Sequence, residues 1–145
     1  MRFMIFVKAT PGTEAEASPN PIGSTPEDDA LMAEMVDFHE ELARAGVLLD
    51  AAGLQPSSKG WRIRYVGGER QVIDGPFAQT QELVAGYTLI QVRSREEAME
   101  WARRFPAPHG KQVDAEIEVR QLYELDDFHP TESVERLREL DAVRK

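Results

Sequence analysis

A chain of 145 residues, 41% hydrophobic and 30% charged, is the size of one domain and long enough to bury a core without staples. Its 17 basic and 26 acidic side chains leave a net charge of −9, which repels DNA and anionic bilayers unless the basic residues cluster, and they do not: Arg103-Arg104 is as long as any basic run gets. The absence of cysteine excludes disulfides, thiolate metal sites and thiol nucleophiles, and fits a reducing cytoplasm.

The first predicted element is a strand over Arg2 to Lys8, whose five consecutive apolar residues are the pattern of a strand covered on both faces. Phe3, Ile5 and Val7 point one way, Met4 and Phe6 the other. Residues 9 to 25 collect proline, glycine and serine with almost nothing apolar and predict a long loop, a lid or interface element. Thr25-Pro26-Glu27-Asp28 then starts a helix, with an N-cap hydroxyl, proline at the first position and acids at the positive end of the dipole. It runs to about Ala45, stops at Gly46, and buries Leu31, Met35, Phe38 and Leu42 at helical spacing with His39 on the shoulder of that stripe. Val47 to Leu54 predicts a second strand. Trp61 to Val66 and Arg70 to Ile73 form a hairpin turned by Gly67-Gly68 and ended by Asp74-Gly75-Pro76-Phe77. Gly86 to Arg93 is another strand, with Thr88, Ile90 and Val92 on one face and Tyr87, Leu89 and Gln91 on the other. Ser94 to Glu97 is a capping box that opens a helix carrying Ala98, Trp101, Ala102 and Phe105. Glu116 to Tyr123 closes the set as a half-wet strand, and a charged tail from Asp126 ends in a weak stripe of Val134, Leu137 and Leu140.

Without the hairpin the order is βαββαβ, the ferredoxin-like α+β unit in which both helices cover one face of an antiparallel sheet. Met4, Phe6, Tyr87 and Leu89 then form an apolar patch on the other face, and a second copy of the chain is the simplest cover. The predicted division is a domain over 1–125 and a charged helical tail over 126–145.

Asp74-Gly75-Pro76-Phe77-Ala78-Gln79-Thr80-Gln81-Glu82 with Ala85-Gly86-Tyr87 resembles the DGPF group of the YCII-related family. The likeness continues through Glu40 to Leu49, Gly53-Leu54-Gln55-Pro56-Ser57, Glu97 to Ala102 and Glu116 to Arg120, and so spans residues 1 to about 128. The resemblance implies a dimeric α/β barrel, two ferredoxin-like sheets packed face to face as a homodimer. It also implies, for some members, companionship with extracytoplasmic-function sigma factors. More distant YCII relatives resemble enzymes with a His and Asp pair at a cleft, the His on the first helix. Here the matching stretch of that helix holds Met32, Met35 and Val36, and His39 follows about a turn later.

Two readings follow from the chemistry-bearing residues. Asp74 is placed to act as a base or to orient a histidine, while the commoner use of an Asp before Gly-Pro is to cap the turn amides. His39 can serve as a general acid or base if Asp50 or Asp74 reaches it from another element; the bland alternative is a boundary histidine beside methionines. Arg62 and Arg64, hairpin neighbours on one face, would hold an anion bidentately if they converged with Arg120, and would otherwise pair with the surplus acids. His39, His109 and His129 have no zinc spacing, and Gly67-Gly68 joins two strands rather than a strand to a helix, so no metal, nucleotide or other cofactor is expected. The preferred expectation is a cytoplasmic protein that binds a small anionic or aromatic molecule or a regulatory protein. The alternative is a small enzyme with His39 and Asp74 as acid–base pair and Asp50, Arg62 and Arg64 at the ligand. No apolar stretch approaches the roughly 20 residues of a bilayer span, and Met1 to Lys8 is charged too soon for a signal peptide.

Overall fold

Branched and aromatic residues fit a pleated strand, and Arg2–Lys8 (β1) lies inside the sheet with Phe3 and Ile5 buried on one face and Met4 and Phe6 half-buried on the other, where the pattern predicts full cover. The structure, a computed structural model, describes residues 1–15 and 25–144. The further strands are β2 (Leu48–Gly53), β3 (Trp61–Val66), β4 (Glu69–Asp74), β5 (Val84–Gln91) and β6 (Ile117–Gln121). Four of them make an antiparallel sheet in the order β2-β5-β1-β6, while β3 and β4 pair with each other as a separate two-stranded ribbon. The helices are a single turn α1 (Pro11–Glu14), then α2 (Pro26–Arg44), α3 (Arg95–Arg103) and α4 (Glu132–Arg144). Apart from the ribbon, this is the ferredoxin-like α+β arrangement that the hydrophobic pattern predicts.

The helix starts rest on their caps. The Thr25 hydroxyl accepts the Asp28 N–H at 3.1 Å, and the Ser94 hydroxyl accepts the Glu97 N–H at 3.1 Å. The expected capping box on α3 is altered, because the Glu97 carboxylate reaches one residue farther back to the Arg93 N–H at 2.9 Å. Within the predicted 9–25 loop, Thr10 and Thr13 cap each other's amides at 2.8 and 3.3 Å and so create α1; residues 16–24 lie outside the described part.

Phe38 and Leu42 of α2 and Ala98 of α3 bury against Phe3, Ile5, Ile90 and Val92 on one face of the sheet, with Trp101 and Phe105 packed at the margin. Ile5, Leu42 and Ile90 are completely buried. Each contributes about 1.5–3 kcal/mol by leaving water, which makes this layer the main source of stability. The tail forms the helix α4, and its stripe is as weak as its sequence suggests: Leu137 and Leu140 stay exposed and Val134 is half-buried. A stripe of three apolar residues on a highly charged helix has too little area to seat it firmly.

Candidate functional site

The face of the sheet turned away from α2 and α3 is set by strand alternation. Phe6 lies opposite Tyr87 on β5 and Glu118 on β6, and Met4 lies opposite Leu89 and Arg120. Asp50 and Ala52 of β2 pair with Leu89 and Tyr87 and join the same face. Met4, Phe6, Tyr87 and Leu89 are only half-buried. Among them sits one polar pair: the Tyr87 hydroxyl donates to Asp50 Oδ2 at 2.9 Å, a diagonal cross-strand contact, while Asp50 Oδ1 accepts the Ala51 N–H at 2.9 Å. Donation to Asp50, reinforced by the carboxylate charge, raises the Tyr87 hydroxyl pKa above its ordinary 10.0. Glu118 draws Lys8 to 3.8 Å and Arg120 to 3.4 Å along the β6 margin.

His39 sits between α2 and the other face of the sheet. A carbonyl can only accept, so Nδ1 carries a proton and donates to Met35 O at 2.7 Å; Nε2 shares a hydrogen bond with the buried Thr88 hydroxyl, also at 2.7 Å, and is its acceptor in the neutral ring. The ring meets Phe38 and Phe105 edge to face, with centroids 5.6 and 6.2 Å apart. Both nitrogens are thus engaged, and among the described residues no carboxylate pairs with either.

Asp74 terminates β4, is exposed, and makes no side-chain hydrogen bond among the described residues. The expected Asx cap is absent. The turn is held instead by the Gly75 N–H donating to Gly60 O at 3.0 Å and the Phe77 N–H donating to Ser57 Oγ at 3.0 Å. Ser57 in turn donates its hydroxyl to Glu14, whose two carboxylate oxygens also accept the Ser57 N–H at 3.0 and 3.1 Å. A Cβ on Gly75 would stand 1.9 Å from Ser57 O, so only glycine lets the two loops close. Arg62 lies on this junction with its guanidinium 3.9 Å from the Phe77 ring centroid, a cation–π contact rather than an anion clamp. Arg62 and Arg64 belong to the ribbon, Asp50 and Arg120 to the main sheet, and no convergent arginine set forms among them.

A cleft of about 450 Å³ opens between α4 and one end of the sheet, lined by Arg2, Leu49, Gln91, Glu124, Arg138 and Asp141 among others. Arg2 binds Glu124 through two hydrogen bonds of 3.1 Å, which raises the guanidinium pKa further. His109 donates to Lys8 O at 3.2 Å in its loop. Among the described residues no three acidic or histidine side chains gather as metal ligands, and no helix is long and apolar enough to cross a membrane.

Two members of these clusters escape a reading of the sequence. Thr88 carries a signal, since a hydroxyl on the core face of a strand must find a partner, and His39 is that partner. Glu14 carries a weaker one: Thr10-Pro11 repeats the Thr-Pro helix start of Thr25-Pro26.

Residues 1–125 match the model of the YCII-related domain. The chain is also similar to an uncharacterised protein of Rhizobium meliloti (strain 1021), with 32% identity over 100 residues that cover 69% of this chain and 81% of that one. A domain model spanning most of the sequence and a relative matched over most of its own length agree, and the chain belongs to the YCII-related family.

Proposed function

We propose that this protein, of the DGPF group, is a cytoplasmic homodimeric α/β barrel that binds a small molecule between its two sheets. The observation that carries this reading is the half-buried face of Met4, Phe6, Tyr87 and Leu89 with the polar pair Asp50–Tyr87 among them and the charged Glu118 and Arg120 at its β6 margin. Small-molecule sites are mostly apolar with a few placed polar groups, and a second copy laid over this face encloses such a surface. Asp50 has oxygen lone pairs to spare and, among the described residues, no cation bonded to it, so the ligand group it selects is a hydrogen-bond donor on an aromatic or aliphatic frame. Arg62 and Arg64 stand on the separate ribbon and so are not part of the floor of this site. A regulatory protein, an extracytoplasmic-function sigma factor in the case the resemblance raises, would meet the outside of the same dimer.

The enzyme reading with His39 and Asp74 draws less support, because His39 as base must first give up the Thr88 hydroxyl. Equal turnover by wild type and His39→Ala, in a screen of small hydrolysable and enolisable compounds, would dispose of it.

Light scattering and a thermal-shift screen of small aromatic and amine-bearing compounds test the binding reading. The wild type is expected to be dimeric. A ligand at a hundredfold excess over its Kd stabilises it by about 2.7 kcal/mol and stabilises Asp50→Asn less. Equal stabilisation of both proteins removes Asp50 from the site, and a wild-type monomer removes the chamber.

A further inference from the structure

The tail is attached to the domain by charge more than by packing. Among the described residues α4 has no buried side chain, and its Leu137, Leu140 and Val143 are 47%, 54% and 83% exposed. What holds it is a relay of ion pairs centred on Arg2. The Arg2 guanidinium grips Glu124 with two hydrogen bonds, which ties the segment after β6 to β1. Arg138 of α4 then reaches back to Asp126 in the turn Leu125–Asp127 at 3.4 Å. Asp141, about one turn farther along α4 and half-buried, is a second acidic neighbour of Arg2: the Glu124 hydrogen bonds do most to raise the Arg2 pKa, and the Asp141 charge adds to them. All five of these charged residues line the cleft of about 450 Å³ between α4 and the sheet.

Ion pairs between exposed side chains hold weakly and are screened by salt, whereas a core of buried apolar side chains such as Ile5, Leu42 and Ile90 does not depend on them. The two parts of the chain must therefore respond differently to ionic strength. The place of the helix gives that difference a use. Arg2 pairs with Gln91 across β1 and β5, on the same face as Met4 and Leu89, so the cleft is the end of the open sheet face with α4 standing over it.

We propose that α4 is a flap, latched through Arg2 and Arg138, that lifts off the Arg2–Gln91 end of the open sheet face when its ion pairs are broken and so gates the approach to that face. The latch stands on its own contacts; its use as a gate rests on the reading of the face as a ligand surface. Local opening of this kind belongs to elements with few buried apolar contacts, and α4 is such an element. Leu49 of β2's approach and Leu125 line the cleft, so they are the side chains whose surroundings change when the flap lifts.

The test uses the full chain and the variants Arg138→Gln and Arg2→Gln, in sodium chloride at about 0.01 M and about 1 M. Hydrogen exchange follows the α4 amides with those of α2 as internal reference, and hydroxyl-radical footprinting follows Leu49 and Leu125. In the wild type, high salt is expected to speed exchange in α4 about fivefold, to leave α2 unchanged and to increase labelling of both leucines. Arg138→Gln should show the same loosening already at low salt, with little further effect of salt; Arg and Gln form helices almost equally well, so a change in propensity does not account for it. Exchange in α4 that is independent of salt, or that rises only together with α2, overturns the latch. Faster exchange without added labelling of Leu49 and Leu125 overturns the gate, since the helix then unravels in place. An opening seen by both methods, in a protein for which the thermal-shift screen finds no ligand, overturns the ligand reading and leaves the flap standing. The wild-type salt series and Arg138→Gln decide the matter even if Arg2→Gln misfolds.

Discussion

Tyr87 and Asp50 offer the sharpest residue-level prediction. The Tyr87 pKa is raised in the fold, so the stabilisation from this pair is complete below the unfolded value near 10.0 and is lost as pH climbs through the higher folded value. In a Tyr65→Phe/Tyr123→Phe background, ultraviolet titration should show Tyr87 ionising later than a free tyrosine, and Asp50→Asn should move it back toward the ordinary range. A titration unchanged by Asp50→Asn would show that the hydrogen bond does not hold the proton. Gly75 is a second case, since its hydrogen faces the Ser57 carbonyl where a methyl has no room. Gly75→Ala is expected to cost about 1–3 kcal/mol in urea denaturation, the range for overpacking, and more if the loops part. Leu42→Ala removes a fully buried side chain between α2 and the sheet and should cost about 2–5 kcal/mol.

At the scale of elements, the junction of α1 with the two loops behaves as one unit. Glu14 spends both carboxylate oxygens on Ser57, and hydrogen bonds to a charged acceptor are worth about 1.5–3 kcal/mol in favourable cases. Exposure lowers that figure, so a double-mutant cycle of Glu14→Gln and Ser57→Ala should give a coupling of about 1 kcal/mol, and a coupling indistinguishable from zero would make the contact ornamental. This junction also shows where the sequence stops being legible. Strands and helices with strong period, such as β1, α2 and β5, announce themselves because burial of one face dictates the pattern, and so does the turn at Gly67-Gly68, where both residues take positive φ of 60° and 78°. The partner of a polar side chain is another matter. The neighbours Gly75 and Pro76 make Asp74 read as a turn cap, whereas Ser57, 20 residues from Phe77, holds the turn because the chain path brings the loops together. His39 was visible as a boundary histidine; its bond to Thr88 joins residues 49 apart and needs the packing of α2 on β5 to exist.

For the whole molecule, Phe6→Glu puts a charge on the open sheet face without touching the helix-covered one, so it should abolish the proposed dimer in light scattering while leaving the far-ultraviolet circular dichroism of the subunit intact. Loss of secondary structure in that variant would mean that the face supports the subunit itself. The tail belongs to this scale too. Residues 126–144 lie beyond the family domain, and α4 leans over the end of the open face marked by Arg2 and Gln91, whereas the end marked by Phe6 and Tyr87 is clear of it. If two sheets pair as proposed, α4 stands at the rim of the space between them, beside Arg2 and Gln91. Shortening the chain after residue 128 would then widen the way into that space and change which molecules reach it.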